Sequence, residues 1–282
     1  MRGRNLVVVT LLVLFSVLCA LGGQARADTV AYWRFEDPNS FNDSVGENHL
    51  TNSGVSTSEG GLWDPVPQTD DRNYQKAYFD GSSSASAANI DAWWNSTFTI
   101  EAMVRPSNTA TQPLVSVREP FGKSSWSFNL DASGTTTKAR LQVWDESGSP
   151  SGAVLDGLTI ESDKTYALAA VFDDGSDEIT LYGRERNSTS WTSETETLVG
   201  FGGLQNSNAD LMIGEDNLES ENQYLTGYMD EIRFSDTTLE ESQLLATPEP
   251  GTTCLAILAA GAGVFAVWRK KRKSGSDGEE AE

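Results

Sequence analysis

Acidic side chains are the most abundant chemically active groups in this sequence, with 41 Asp and Glu residues against 20 Lys and Arg. A retaining glycosidase needs two carboxylates about 5 Å apart, which on one strand come from alternate positions. The acids instead fall in polar stretches such as ESDKTY, DDGSDE and GEDNLES, and Glu101 is alone in its apolar run. The single histidine, His49, lies in a polar stretch, so no serine nucleophile has an evident base. The residues predict no catalytic site, and a glycoside hydrolase with an unrecognised site stays the alternative.

Metal ligands in this chain are limited to oxygen donors. Zinc sites use Cys and His, but Cys19 and Cys254 lie near opposite ends of the chain and only one histidine is present. Calcium takes carboxylate and carbonyl oxygens, which are plentiful here. No segment has the ligand spacing of an EF-hand, so a calcium site would be assembled from distant segments. The composition therefore favours one structural Ca²⁺ over zinc.

Aromatic side chains are the third group that could bind a ligand, because sugar rings stack on exposed indole faces. The chain has 8 tryptophans. Trp93 and Trp94 are adjacent, and adjacent residues of a strand face opposite sides, so we expect one of the two to be exposed. Trp144 lies in polar sequence. These three are the candidate ligand-binding residues, although most tryptophans of a domain serve its core.

The elements that must position these residues are short strands. Apolar or alternating runs are separated by Gly, Asn, Asp and Ser, and FTIEAMVRP alternates cleanly. YALAAVFDDGSDEITLYG predicts a hairpin, and TTLEESQLLA predicts one helix capped by Thr237 or Thr238. No long segment has helical periodicity. The stretch 28–246 is therefore predicted to be an all-β, antiparallel two-sheet jelly-roll sandwich.

The N-terminus has the pattern of an export signal. Arg2 and Arg4 precede an apolar run, and Ala25 and Ala27 supply the small residues of a cleavage site. Residues 1–27 are predicted to be a signal peptide, with a retained membrane anchor as the alternative.

The formal net charge of −21 excludes a nucleic-acid partner, because phosphate binding needs a positive surface.

The C-terminus has the pattern of a membrane anchor. Residues 251–268 are apolar or small, which is about the minimum for a transmembrane helix. Basic residues hold the end that follows such a helix in the cytoplasm. With export at the other end, the chain is predicted to be single-pass, with an acidic cytoplasmic tail at 274–282. The basic residues are Arg269, Lys270, Lys271, Arg272 and Lys273.

Five motifs, in order along the chain, resemble landmarks of laminin G-like jelly rolls of the concanavalin A-like superfamily. They are AYWRFEDPNSFNDSVGENHL, KAYFDGSSSA, FTIEAMVRPS, KTYALAAVFDDGSDEITLYG and GYMDEIRFSDTTLEESQL. The resemblance covers almost all of 28–246 and implies a concanavalin A-like sandwich. It does not fix a function, because this fold hosts lectins, adhesion modules and glycosidases.

The same resemblance implies a structural calcium that joins the first strand to the last. The matching positions are Glu36 or Asp37, after the first strand, and Asp230 in the last. An ion there would pin both ends of a domain that has no disulfide. The alternative is that Asp230 caps a loop or pairs with Arg34 or Arg233.

Pro248, Glu249 and Pro250, followed by the apolar stretch and the basic cluster, resemble the PEP-CTERM sorting signal of Gram-negative bacteria. The resemblance implies an exosortase-like processing enzyme as a partner, and a sorting segment at 247–273. The chain would be membrane-anchored before processing and then reach the cell surface or extracellular matrix. The extension 274–282 departs from that pattern and leaves a plain anchor as the alternative.

These observations predict an exported, non-enzymatic surface or matrix protein whose jelly roll binds glycans or other surface polymers. A secreted carbohydrate-active enzyme on the same fold is one alternative. A purely structural matrix protein is the other.

Overall fold

The computed structural model describes residues 29–36, 40–69, 71–94, 96–119, 123–216 and 223–247. Two antiparallel sheets and a short ribbon account for the strands in these ranges. The first sheet contains β1 (Thr29–Trp33), β3 (Ser56–Glu59), β4 (Gln75–Asp80), β6 (Thr97–Pro106), β11 (Tyr166–Asp173), β12 (Glu178–Glu185), β13 (Thr192–Thr197) and β17 (Thr226–Ser235). The second sheet contains β2 (Thr51–Ser53), β5 (Ser84–Ala87), β7 (Gln112–Arg118), β8 (Ser124–Asp131), β9 (Lys138–Trp144), β10 (Pro150–Val154) and β14 (Leu211–Ile213). The ribbon contains β15 (Glu215–Asp216) and β16 (Gln223–Tyr224).

The predicted all-β, antiparallel two-sheet jelly roll is confirmed. The strand order is β13-β12-β11-β6-β17-β4-β3 in the first sheet and β10-β9-β8-β7-β14-β5-β2 in the second. Strand β1 pairs with β17, so the first and last strands are neighbours, as the sequence predicts. Strands β4 and β1 share one edge of β17, opposite 226–229 and 232–235 respectively, while β6 pairs along the other edge.

The hydrophobic core lies between the two sheets. Alternate residues of β6 face it, as FTIEAMVRP predicts, because successive side chains of a strand point to opposite faces. The buried core and the strand pairs of the described residues lie in one compact unit, Arg26–Thr247, which we expect to fold alone. The largest core side chains include Trp33, Phe79, Phe98, Trp126, Phe128, Phe172 and Phe234.

The helix predicted at TTLEESQLLA is wrong. Only a 3₁₀ turn forms there, at Glu241–Gln243, and Glu240 rather than Thr237 or Thr238 precedes it. The Glu240 N–H donates to Gln243 Oε1 at 2.9 Å. Leu239, Leu244 and Leu245 are buried on the first sheet, and that packing overrides the weak local helical preference.

The outer faces of the two sheets differ. Residues 239–247, which we call the strap, cover the outer face of the first sheet together with the loop that contains Trp63 and Val66. The outer face of the second sheet has no such apolar cover among the described residues.

The described ranges contain no helix long and apolar enough to cross a membrane. The predicted signal peptide 1–27 and transmembrane helix 251–268 lie outside them.

Candidate ligand-binding face

A row of small and polar side chains crosses the outer face of the second sheet. The row has one residue on each of six neighbouring strands, from β5 to β10, and each is the direct cross-strand partner of the next. Strands lie about 4.8 Å apart, so the row is about 24 Å long. We call it the serine row: Ser86, Met212, Ser116, Ser127, Gln142 and Gly152.

The two central residues of the serine row are more buried than those on either side of them. Ser116 and Ser127 are fully buried, whereas Ser86, Met212 and Gln142 are partly exposed. The Ser116 hydroxyl donates to the Glu215 carbonyl at 3.1 Å. The two short central side chains are flanked by the longer Met212 and Gln142, and the row ends at Ser86 and Gly152.

Paired charges border one side of the serine row. Arg118 Nη1 lies 2.7 and 3.0 Å from the two carboxylate oxygens of Asp216, and Arg118 Nε donates to Ser124 Oγ at 3.2 Å. The guanidinium also lies over the Trp144 ring, 4.5 Å from its centroid. These contacts hold the half-buried Trp144 ring in place.

A second charged pair borders the other side. Arg140 Nη1 lies 3.2 Å from Asp131 Oδ2, and Asn129 Nδ2 donates to Ser127 Oγ at 3.0 Å. Burial alone would raise the pKa of Asp131, but hydrogen bonds from Ser133 and the charge of Arg140 outweigh it and hold that pKa below its usual value. The strip between the two pairs carries no charged side chain of its own, although the whole chain is strongly acidic.

Two polar atoms next to the row have no hydrogen-bond partner. They are Asn129 Oδ1, an acceptor, and Arg140 Nε, a donor, and their residues are cross-strand neighbours. An unpaired buried polar atom costs about 1–3 kcal/mol. A hydroxyl group both donates and accepts, so one hydroxyl suits both atoms.

The predicted aromatic residues are divided between core and surface. Trp93 is fully buried, donates from Nε1 to the Ala88 carbonyl at 2.8 Å, and packs edge-on against Phe234. Trp94 is partly buried against the same core. The prediction that one of them is exposed is wrong, because they lie in a 3₁₀ turn, Asp91–Trp94, where the alternation of a strand does not apply. Of the three candidates, Trp144 is the one beside the serine row.

The acids predicted to bind calcium lie on the other sheet. Asp230 is buried, and its Oδ2 accepts hydrogen bonds from Leu62 N and Asn73 Nδ2, both at 2.8 Å. Glu36 Oε1 accepts from the N–H groups of Tyr74 and Gln75 at 2.6 and 3.1 Å. These contacts match the alternative in which Asp230 caps a loop.

The calcium prediction stays a prediction, because Asp37 lies outside the described residues. Within the ranges given above, no group of three or more His, Cys, Asp and Glu residues is arranged to hold a metal ion. Arg34 and Arg233 pair with other acids, Glu231 and Glu101 respectively.

Three carboxylates on that covered face are buried: Glu101, Asp230 and Glu231. Burial raises the pKa of Glu231 to about 7, against the opposing charge of Arg34 and the hydrogen bond from the Tyr32 hydroxyl. Burial and the charge of Glu231 raise the pKa of Asp230. Burial also raises the pKa of Glu101, which accepts a hydrogen bond from the strap at Leu245 N, 2.8 Å away. Leu245 and Ala246 close a small cavity over Glu101 and Glu231.

Comparison with protein families identifies the fold. A sequence model described as the concanavalin A-like lectin/glucanases superfamily matches residues 79–245, more than half of the chain. The chain belongs to this superfamily. A second model, the PEP-CTERM protein-sorting motif, matches residues 246–273 and bears out the resemblance at Pro248, Glu249 and Pro250. Apart from its first two residues, that motif lies outside the described residues.

Solved structures with the superfamily fold are similar to this chain at low identity. Domain 4 of AbnA, a GH43 extracellular arabinanase from Geobacillus stearothermophilus solved with arabinotriose, has a TM-score of 0.51 and 18% identity, over 77% of this chain and 97% of that one. The botulinum neurotoxin serotype D binding domain has a TM-score of 0.50 and 8% identity, over 76% and 49%. The enzymatically active domain of bacteriophage CBA120 tailspike protein 2 has a TM-score of 0.50 and 13% identity, over 71% and 31%. No curated protein matches the sequence.

Sequence reasoning missed most of this superfamily member's serine row. The signal was present in the outward positions of SWSFNLD and ARLQVWD, where Ser127 and Gln142 alternate with core residues. Aligning them with Ser116 and Met212 needs the register of strands far apart in sequence, which alternation alone does not give.

Proposed function

We propose that this protein is an exported surface protein whose jelly roll binds an uncharged glycan along the serine row. The observation that carries the proposal is the uncharged polar row on the face of the second sheet that the apolar loop and strap leave uncovered. A chain with a net charge of −21 would repel acidic polymers, and this strip is where that repulsion is weakest. The half-buried Trp144 ring supplies an apolar face at its border.

We propose binding without hydrolysis. The two carboxylates that border the row, Asp131 and Asp216, are each paired with an arginine on opposite sides of it. A general acid needs a raised pKa and access to the ligand. Asp131 has a lowered pKa. Burial raises the pKa of Asp216, but its carboxylate is buried and both of its oxygens are held by Arg118. The alternative, a glycoside hydrolase, would need a different pair of acids.

We propose a route that combines the sorting motif with the predicted export signal. The PEP-CTERM motif indicates export in bacteria through an exosortase system. The chain would be anchored through 251–268, processed by an exosortase-like enzyme, and delivered to the cell surface or extracellular matrix. Glycan binding there would connect it to surface polymers. The arabinotriose in the AbnA domain is consistent with this class of ligand.

A glycan array probed with the segment 28–247, with and without calcium, tests the proposal. We expect neutral oligosaccharides to bind, and Trp144→Ala to weaken the best ligand about tenfold, or about 1.4 kcal/mol. The control is Tyr74→Ala, since Tyr74 is 58% exposed and directly precedes β4 of the first sheet. Equal loss in both variants would contradict the assigned face, and no binding to any glycan would favour a purely structural matrix protein.

A further inference from the structure

Arg184, on β12, is a buried cation with an incomplete set of partners. The residue is 8% exposed, and its guanidinium lies between the rings of Trp63 and Trp191, at 4.9 and 5.4 Å from their centroids. Nη2 donates to the Ala246 carbonyl at 2.6 Å, but Nε is buried and has no hydrogen-bond partner among the residues that the structure describes. The guanidinium therefore has an unused donor.

The charge of Arg184 also lacks a close counter-ion. Among the described residues, no carboxylate lies within 4.0 Å of it. Burial lowers the pKa of Arg184, and Glu241 opposes this from farther away. Buried charges are rarely left without a partner, because removing them from water is costly. Three other largely buried arginines are each paired with a carboxylate: Arg34 with Glu231, Arg118 with Asp216, and Arg233 with Glu101.

The strap brings the chain to this cation where the folded domain ends. Trp191 Nε1 donates to Thr247 Oγ1 at 2.8 Å, and Thr247 N donates to the Leu244 carbonyl at 2.8 Å. The chain is thus held by side chains up to Thr247, and Pro248 is the next residue. The sorting motif, residues 246–273, therefore overlaps the last two residues of the docked strap.

We propose that Arg184 is a receptor for the C-terminal carboxylate of a chain that ends at Thr247. Hydrolysis of the Thr247–Pro248 peptide bond adds water across it, leaving a carboxylate on Thr247 and a secondary amine on Pro248. The planar guanidinium binds a carboxylate through parallel N–H donors, and the two indole rings hold it in position. Trimming at this point supplies the missing anion and fixes the new end against the sheet.

Thermal melts of two matched proteins test the receptor. Both contain 28–247, one with a free Thr247 carboxylate and one with a Thr247 amide made by intein cleavage in ammonia. We expect the carboxylate form to melt about 3 °C higher or more. In Arg184→Gln the difference should disappear. Equal melting of the two wild-type forms, or an unchanged difference in Arg184→Gln, would overturn the proposal.

A control and two further readouts make the test specific. Arg186→Gln removes an exposed arginine two residues away, and it should leave the carboxylate effect intact. If Arg184→Gln does not fold, the Arg184 Nε–H resonance is compared between the two wild-type forms, where identical shifts would overturn the receptor. Mass spectrometry of the product released from the full chain in its host should give a terminus at Thr247, and a product extending past Pro250 would overturn it. Glycan binding plays no part in these measurements.

Discussion

The outer faces of the two sheets contrast in almost every respect. The face of the first sheet has buried acids, aromatic side chains that include Tyr32 and Tyr182, and raised carboxyl pKa values, but the strap and the loop near Trp63 cover it. The face of the second sheet has small neutral side chains and paired surface charges without an apolar cover. The chemically richer face is therefore the covered one, and the plainer face is the one on which we propose that a polymer binds.

The largest difference between the two faces is expected in the loss of unfolding free energy when one member of a charged pair is removed. Arg233→Met leaves Glu101 buried and unpaired, so we expect a loss of about 3–5 kcal/mol in the free energy of unfolding. Arg140→Met is the matched change on the second sheet, where the pair is partly exposed and is worth about 0–1 kcal/mol. Urea unfolding of both variants gives the comparison. Similar losses would contradict the distinction between a sealed and an open face.

The pH dependence of stability should come mainly from the covered outer face of the first sheet, which we call the sealed face. The folded-state pKa of Glu231 is raised from 4.5 to about 7, so the folded protein binds more protons than the unfolded chain between these values. This contribution is full below pH 4.5 and is lost as the pH rises through 7, by up to about 3 kcal/mol. Unfolding free energies at pH 5.5 and 8 should therefore show higher stability at pH 5.5. In Glu231→Gln the difference in unfolding free energy between the two pH values should become smaller. A wild-type protein that is equally stable at both pH values would contradict the prediction.

Calcium would stabilise the edge of the sealed face if Glu36, Asp37 and Asp230 hold an ion. At 100 times its dissociation constant, an ion that binds only the folded state adds about 2.7 kcal/mol. Melts in millimolar calcium should then exceed melts in chelator, and Asp230→Asn should remove the difference. Equal melts would end the prediction.

The smallest effect on stability is expected from the open face. Gln142→Ala removes a partly exposed side chain, so its unfolding free energy should stay within about 0.5 kcal/mol of wild type. Its affinity for the bound glycan should fall nonetheless, because Gln142 belongs to the serine row. Titration of the best array ligand, beside urea unfolding, measures both. A marked loss of stability with unchanged affinity would reverse the roles of the two faces.

Local pattern predicted the strands well, because the face packed on the core takes apolar side chains at alternate positions of β6, β8 and β9. It also predicted that β1 and β17 are neighbours, through the resemblance of both ends to known motifs. It failed at Trp93, whose 3₁₀ turn has no strand periodicity, and at the serine row, whose members meet only through long-range register. The sequence predicts a helix in the strap. The burial of Leu244 and Leu245 on the first sheet, which overrides that preference, cannot be deduced from local pattern.

A bulge in β17 has a consequence for the length of the chain. The register against β6 shifts between Asp230 and Arg233, and Glu231 has a positive φ of 49°. The edge partner of β17 changes from β4 to β1 at the same point. Met229 faces the core before the bulge and Ile232 and Phe234 face it afterwards, so Glu231 is the extra residue. One more residue inserted beside it would turn Ile232 and Phe234 towards solvent, whereas deletion of Glu231 would restore regular alternation and remove the carboxylate that contacts Tyr32 and Arg34. A single-residue insertion should therefore be tolerated far less at this position than in the loops, and less than the deletion of Glu231.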